Sequence, residues 1–329
     1  MRMSLGENVV VTLFGESHGP AVGALIEGMP PNVEFDLEQL IADMISRRPG
    51  SGLASKRKET DEVDIMSGVH NGKTTGMPIL LIIKNRDVRS KDYSFLPYQP
   101  RPGHVDHPIN IKTEGAADLR GGGSFSARLT AGLVAAGSLS RTIIPSEWKV
   151  EATVGALGGL EGEEGIALAE KARKDGDSLG SRVDLVISGL PVGLGEPWFD
   201  GIEPALARAL MSIPAARAVE FGRGVKAGTM RGSQHNDTWG QDMSLSDGAD
   251  GALGGMASGA PIRVRITFKP PSGISKPQET FNQISGEIEE LAIKGRHDPV
   301  IAPRARPVVE AVARLVLADL GVQGGYIDG

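Results

Sequence analysis

The chain has 329 residues, enough for one large domain or two ordinary ones and for a sizeable core. Its 35 Lys and Arg against 41 Asp and Glu leave a formal net charge of −6, which speaks against a general binder of nucleic acid or anionic membranes. Without any cysteine there is no disulfide, thiolate nucleophile, iron–sulfur cluster or zinc ribbon, so a metal would have to rest on His and carboxylates.

The opening residues, Met1 to Asn8, lack the basic, apolar, small-residue order of a signal peptide, and a cytoplasmic protein is expected. Asn8 to Leu13 and Val22 to Glu27 read as strands around a polar loop that presents His18. Asp36 and Gln39 have capping-box spacing, and the apolar positions Leu37, Leu40, Ile41, Met44 and Ile45 predict a helix that stops near Arg47 and Arg48. Residues 50 to 61 read as a basic loop. Strands are expected at Glu62 to Val69 and Pro78 to Lys84, where the longest apolar run, Met77 to Ile83, falls far short of the roughly 20 residues that cross a bilayer. A polar loop from Asn85 to about Leu119 is longer than a compact domain ordinarily leaves without a function.

Gly121, Gly122 and Gly123 precede a helical stretch from Ala127 to Leu139, a glycine-to-helix junction suited to an anion. Beyond it come a strand at Val150 to Leu157, a helix at Glu163 to Lys174, a strand at Arg182 to Ser188 and a helix at Ile202 to Ile213. Two strands are expected within Ala218 to Gly232 and one at Pro261 to Phe268, whose alternation implies a sheet with one wet face. Helices at about Glu279 to Ile293 and Val308 to Leu320 close the chain. Mixed hairpin-like strands and helices make this an α+β protein, and no linker divides it, so one domain spanning 1–329 is expected.

Four of the six histidines stand in turn-forming, charged contexts that aim an imidazole into a cleft, among them His18, His104 and His297. His104, His107 and His235 with nearby aspartates form an alternative, a metal-dependent phosphohydrolase. Eleven arginines, including Arg47, Arg101, Arg128, Arg296 and Arg304, fall largely in loops of an acidic chain, which suits a small substrate carrying carboxylates and phosphate. Neither a Walker loop nor a Rossmann fingerprint is present.

Eight motifs, in order, resemble chorismate synthases. They are Gly15-Glu16-Ser17-His18-Gly19, Ser46-Arg47-Arg48-Pro49-Gly50, Arg101-Pro102-Gly103-His104-Val105-Asp106, the run Arg120 to Arg128, Leu194-Gly195-Glu196-Pro197, Met211-Ser212-Ile213, Arg231-Gly232-Ser233-Gln234 and Gly295-Arg296-His297-Asp298-Pro299. The resemblance covers nearly the whole chain and implies a lyase of the shikimate pathway. Its reaction is a 1,4-anti elimination of phosphate from 5-enolpyruvylshikimate 3-phosphate giving chorismate, with reduced FMN and no net redox change. The family fold it implies is a β-α-β sandwich with antiparallel sheets inside and helices outside, assembled as a homotetramer.

By the same residue matching, His18, His104 and Asp298 are the catalytic candidates: His18 for the leaving phosphate, His104 and Asp298 for the flavin and the substrate proton. Ser124, Phe125, Ser126, Gly254, Lys269, Pro270, Pro271, Ser272, Gly273 and Arg296 are the flavin contacts. Arg101 and Arg128 are substrate contacts, and Arg47 is a contact of substrate or NADP. Ser124-Phe125-Ser126 stands where many members carry Arg-Ser-Ser. The resemblance leaves open whether NADPH or an external flavin reductase supplies the reducing equivalents, and a binding protein without turnover is the second alternative.

Overall fold

The structure is a computed structural model that describes residues 1–48, 60–86, 90–246, 250–293 and 297–328. The chain begins with β1 (Ser4–Leu5), β2 (Val10–Gly15), β3 (Ala21–Glu27), α1 (Leu37–Arg47), β4 (Val63–Ile65), the small pair β5 (Val69–His70) and β6 (Lys73–Thr74), and β7 (Ile79–Lys84). Next come α2 (Asp106–Lys112), α3 (Thr130–Ser140), β8 (Lys149–Leu157), α4 (Gly162–Lys174), β9 (Ser181–Ser188), α5 (Ile202–Met211), β10 (Ala216–Phe221) and the short α6 (Gly232–His235). The hairpin β11 (Ala252–Leu253) and β12 (Met256–Ala257), strand β13 (Ile262–Phe268), the hairpin β14 (Gln278–Asn282) and β15 (Glu287–Leu291), and α7 (Ala302–Gln323) complete it.

Two larger antiparallel sheets result beside the three small pairs, one in the order β1-β2-β3-β7-β4 and one in the order β10-β13-β9-β8. Each is built by alternation. In β7, Ile79, Leu81 and Ile83 are buried while Leu80 and Ile82 face the other way, and in β13 Ile262, Val264, Ile266 and Phe268 are buried opposite the exposed Arg263. The α+β class with antiparallel sheets is as expected from sequence.

The order of the layers is the reverse of the one expected, because α3 and α7 lie inside, between the two sheets. All eleven residues of α3 are buried, with β3 on one side and α7 on the other, and α7 in turn rests on β8 and β9. The sequence of α3, Thr-Ala-Gly-Leu-Val-Ala-Ala-Gly-Ser-Leu-Ser, has no polar face to offer solvent, and a helix of that kind needs cover on every side. Its glycines set the spacing: a methyl at Gly132 would meet Gly23 O at 2.7 Å and one at Gly137 would meet Ala311 Cα at 2.5 Å.

Three local expectations fail for identifiable reasons. Residues 279–293, rich in helix-forming Glu, form the β14–β15 hairpin because Asn282 Oδ1 accepts the Ile284 N–H (2.9 Å) and Gly286 takes φ +76°, which closes a turn. Within Ala218 to Gly232 one strand forms instead of two, the continuation of β10, since Gly222 and Gly224 at φ +51° and +55° turn the chain away. Within the long loop α2 forms despite Pro108, which stands in the first turn where a helix does not need that N–H. The basic stretch at 50–59 lies outside the described residues.

At the start of α1, Asp36 Oδ1 accepts the Gln39 N–H at 2.8 Å, while the Gln39 side chain reaches Asp43 instead of returning to the cap. Asp36→Ala is therefore expected to cost about 1 kcal/mol in urea unfolding, the worth of one N-cap.

Candidate active site

The loops at one end of the five-stranded sheet, the turn Lys269–Gly273 after β13, the segment before β10 and the start of α7 enclose a chamber of about 920 Å³. This is near the top of the range for small-molecule sites, about 300–1,000 Å³, and leaves room for two ligands. Arg2, Arg47, Arg101, Arg128, Arg217, Lys269 and Arg304 line it against the carboxylates Asp61, Asp92 and Asp298. The excess of positive charge, on a chain that is acidic overall, focuses a field that draws in small polyanions.

His18 stands on the loop between β2 and β3 and His104 on the loop before α2, and both line the chamber. Between them runs the ridge Gly121-Gly122-Gly123, whose φ values of +59°, +90° and +51° only glycine adopts at low cost. A methyl at Gly121 would stand 2.9 Å from His18 Nε2, and one at Gly122 would stand 3.4 Å from His104 Nε2. The two imidazoles thus lean on one glycine ridge from neighbouring positions. Ser17 fixes the loop, donating its N–H to Gly123 O (3.2 Å) and its hydroxyl to Arg120 O (3.2 Å).

His104 Nδ1 lies 2.7 Å from Asp106 Oδ1. Arg101 donates Nε to Asp106 Oδ2 (2.7 Å), Nη2 to Oδ1 (2.6 Å) and its backbone N–H to Oδ2 (3.0 Å). Burial alone would push the Asp106 carboxyl up, but the bonds from Arg101 and His104 outweigh it and hold the group far below the carboxylate range. The Arg101 guanidinium lies over the Tyr93 ring, 5.4 Å from its centroid, and Tyr93 meets His18 edge-on with ring centroids 5.0 Å apart.

On the inner wall Arg47 and Arg128 share one carboxylate, Asp61. Arg47 Nη1 donates to Oδ2 at 2.8 Å and Arg128 Nη1 bonds Oδ1, with side chains only 3%, 6% and 1% exposed for Arg47, Arg128 and Asp61. Arg47 also donates to Thr130 Oγ1 (3.2 Å) and Ala127 O (3.0 Å), and Arg128 to Asn85 Oδ1 (2.9 Å) and Lys84 O (3.2 Å). Burial, with the charge of Arg304, pulls Arg47 down to about 9 against the opposing pull of Asp61, so it stays cationic at neutral pH. Asp298, at the chamber edge, accepts from Arg304 Nη1 at 2.7 Å.

Of the flavin contacts expected from the resemblance, Ser124, Phe125, Ser126, Lys269, Pro270, Pro271, Ser272 and Gly273 all line the chamber. Lys269 Nζ donates to Gly103 O (2.5 Å) and Ser272 Oγ (3.0 Å), tying the turn after β13 to the His104 loop. Burial and the nearby Arg217 push its amine down. Gly254 stands apart, at the turn of the β11–β12 hairpin and not among the lining residues, and Arg296 lies outside the described residues. His107 is exposed on α2 and His235 faces Asp250 at 3.5 Å, so among the described residues no three His or carboxylates gather as metal ligands. Nothing in the sequence singles out Asp61 or Tyr93, and Asp106 stands there without a role of its own, as the last residue of the Arg101–Asp106 motif and as a neighbour of the alternative metal site. The one signal for Asp106 is its place two residues from His104 at a helix start.

A cationic chamber with two imidazoles on a glycine ridge suits an enzyme site for a small polyanion. Residues 9–322 match the family model described as chorismate synthase. The chain is 45% identical to a chorismate synthase of Aeropyrum pernix, over 97% of this chain and 92% of that protein, and 43% identical to one of Thermococcus kodakarensis, over 95% and 96%. A crystal structure of chorismate synthase is similar with TM-score 0.73 and 26% identity, covering 97% of this chain and 93% of that one. The chain belongs to the chorismate synthase family and is an enzyme, a carbon–oxygen lyase acting on phosphate.

Proposed function

We propose that the whole chain, as a single domain, converts 5-enolpyruvylshikimate 3-phosphate to chorismate and phosphate by 1,4-anti elimination, the last common step of aromatic amino acid biosynthesis, with reduced FMN and no net redox change. The observation that carries this is the chamber itself, in which His18 and His104 share one glycine ridge inside a cationic wall. Its volume, the apolar surfaces of Phe125, Pro270 and Pro271, and the cation Lys269 fit a flavin beside a substrate with two carboxylates and a phosphate. Ser124, Phe125, Ser126 and the turn Lys269–Gly273 would hold the flavin, with Gly254 and Arg296 as further contacts. When bound, reduced FMN supplies transient electron density for C–O cleavage.

The protein's own groups do the rest. Arg47, Arg128 and Arg304 hold positive charge against the substrate's anionic groups. His18 holds a proton for the departing phosphate, and His104 donates or accepts one at Nε2. Asp298, steadied by Arg304, assists removal of the substrate proton. NADPH bound near Arg47 or an external flavin reductase supplies reducing equivalents, and the protein works as a cytoplasmic homotetramer.

The test is anaerobic turnover of 5-enolpyruvylshikimate 3-phosphate, followed by chorismate absorbance, with dithionite-reduced FMN, oxidised FMN, and oxidised FMN plus NADPH in parallel. Chorismate with reduced FMN is expected. Product with NADPH as well would add an intrinsic reductase, and no product from folded, flavin-binding protein would sink the proposal.

A further inference from the structure

We propose that Asp106 is a positioning residue that holds His104 as the Nδ1–H tautomer with Nε2 presented to the chamber, and that Arg101 serves to hold Asp106 and not to bind substrate. The inference deepens the reading above, in which His104 moves a proton. Three observations carry it.

The first concerns the hydrogen between His104 Nδ1 and Asp106 Oδ1, 2.7 Å apart. Asp106 is 1% exposed and receives three hydrogen bonds from Arg101, so it is ionised and can only accept. The hydrogen therefore belongs to Nδ1. Arg101 Nη2 is also 3.0 Å from Nδ1, but a guanidinium nitrogen only donates and a protonated Nδ1 cannot accept, so the Nη2 hydrogen goes to Oδ1 at 2.6 Å. In the neutral ring the lone pair is left on Nε2, the atom that a methyl on Gly122 would approach at 3.4 Å.

The second observation is where Arg101 spends its donors. Nε and Nη2 form the parallel fork onto the Asp106 carboxylate, and the guanidinium carbon lies over the Tyr93 ring. A fork engaged in this way is a support for the carboxylate. The third is how the carboxylate is mounted: Asp106 is the first residue of α2, where a negative charge is favoured, and is reached from the side by the Arg101 backbone N–H. The same support extends through Tyr93 to the edge of the His18 ring. Both imidazoles are thus steadied by one Arg–Asp–Tyr assembly.

An amide at position 106 can turn an N–H toward Nδ1 and so favour the other tautomer, which takes the lone pair away from the chamber. The experiment combines ¹⁵N spectra of protein labelled at its six histidines, with H104A to assign the signal, and anaerobic steady-state kinetics of wild type, D106N and R101K with reduced FMN. The wild-type His104 signal is expected to show a proton on Nδ1, with Nε2 bare wherever the ring is neutral. D106N is expected to lose that signature and to lower kcat by about 10²-fold with KM held within about twofold, and R101K to lower kcat and leave KM in the same range.

An Nε2–H tautomer in wild type, or a D106N enzyme with undiminished kcat, would overturn the proposal. So would an R101K enzyme whose only change is a raised KM, the mark of a substrate contact. Because the tautomer is read on the wild-type protein, a D106N chain that does not fold still leaves a decisive measurement. If wild type makes no chorismate the proposed reaction falls, and the spectra alone then support or overturn the placement of the proton.

Discussion

Asp61→Asn is expected to lower the unfolding free energy by about 3–5 kcal/mol, the cost of removing one partner from a buried ion pair. The carboxylate is shared by Arg47 and Arg128, and all three side chains are almost wholly buried, so the substitution leaves two guanidiniums short of a counter-charge where little water reaches them. Asparagine is the informative replacement. Asp61 sits at φ +49°, a conformation Asn adopts about as readily, so the change removes charge without adding backbone strain.

The same site has a defined pH signature. Burial pushes the Asp61 carboxyl up, but the charges and hydrogen bonds of Arg47 and Arg128 overturn this and hold it below its ordinary value. A carboxyl whose folded pKa is depressed contributes stability that is fully present above the unfolded value of about 3.9 and is lost as pH falls through that value toward the folded one. Urea unfolding of wild type should therefore weaken on acidification below about pH 5, and the gap between wild type and D61N should narrow there. A D61N chain within 1 kcal/mol of wild type at neutral pH would show that the arginine pair is compensated elsewhere.

His104→Ala is expected to lower kcat by about 10²-fold or more, the usual worth of a positioned proton donor or acceptor. The fold should survive, because the Arg101–Asp106 fork does not depend on the imidazole and the ring is partly solvent-exposed. The measurement is anaerobic turnover with chemically reduced FMN, beside a thermal melt that matches wild type. Near-normal kcat would remove His104 from the proton chemistry. A loss confined to KM would instead make it a binding group.

The local sequence was enough to place much of this site. Alternation in β7 and β13, the cap at Asp36 and the glycine run before α3 each carry their own physical signature over a few residues, and the eight ordered motifs bring His18, His104 and the flavin-loop candidates into view. Legibility fails where local preference competes with distant packing. The glutamate-rich stretch from 279 has helical composition, yet Asn282 and Gly286 close a turn and it pairs as β14 and β15. The apolar helix α3 revealed its burial in its composition but not what covers it, and its place between the two sheets reverses the layer order expected from the resemblance.

The sequence by itself determined the element types over most of the chain, the family, and which residue types could do chemistry, because these rest on periodicity, turn-forming residues and short motifs. Only the tertiary structure decided which charges meet. Asp61 is 14 residues from Arg47 and 67 from Arg128, and nothing local marks it as their shared partner. The Tyr93 ring joins Arg101 to His18 across the chamber in the same way. The physical reason is range: backbone preferences act over a few residues, whereas a buried charge is stabilised by whatever partner the folded chain brings within about 3 Å, however far along the sequence that partner lies.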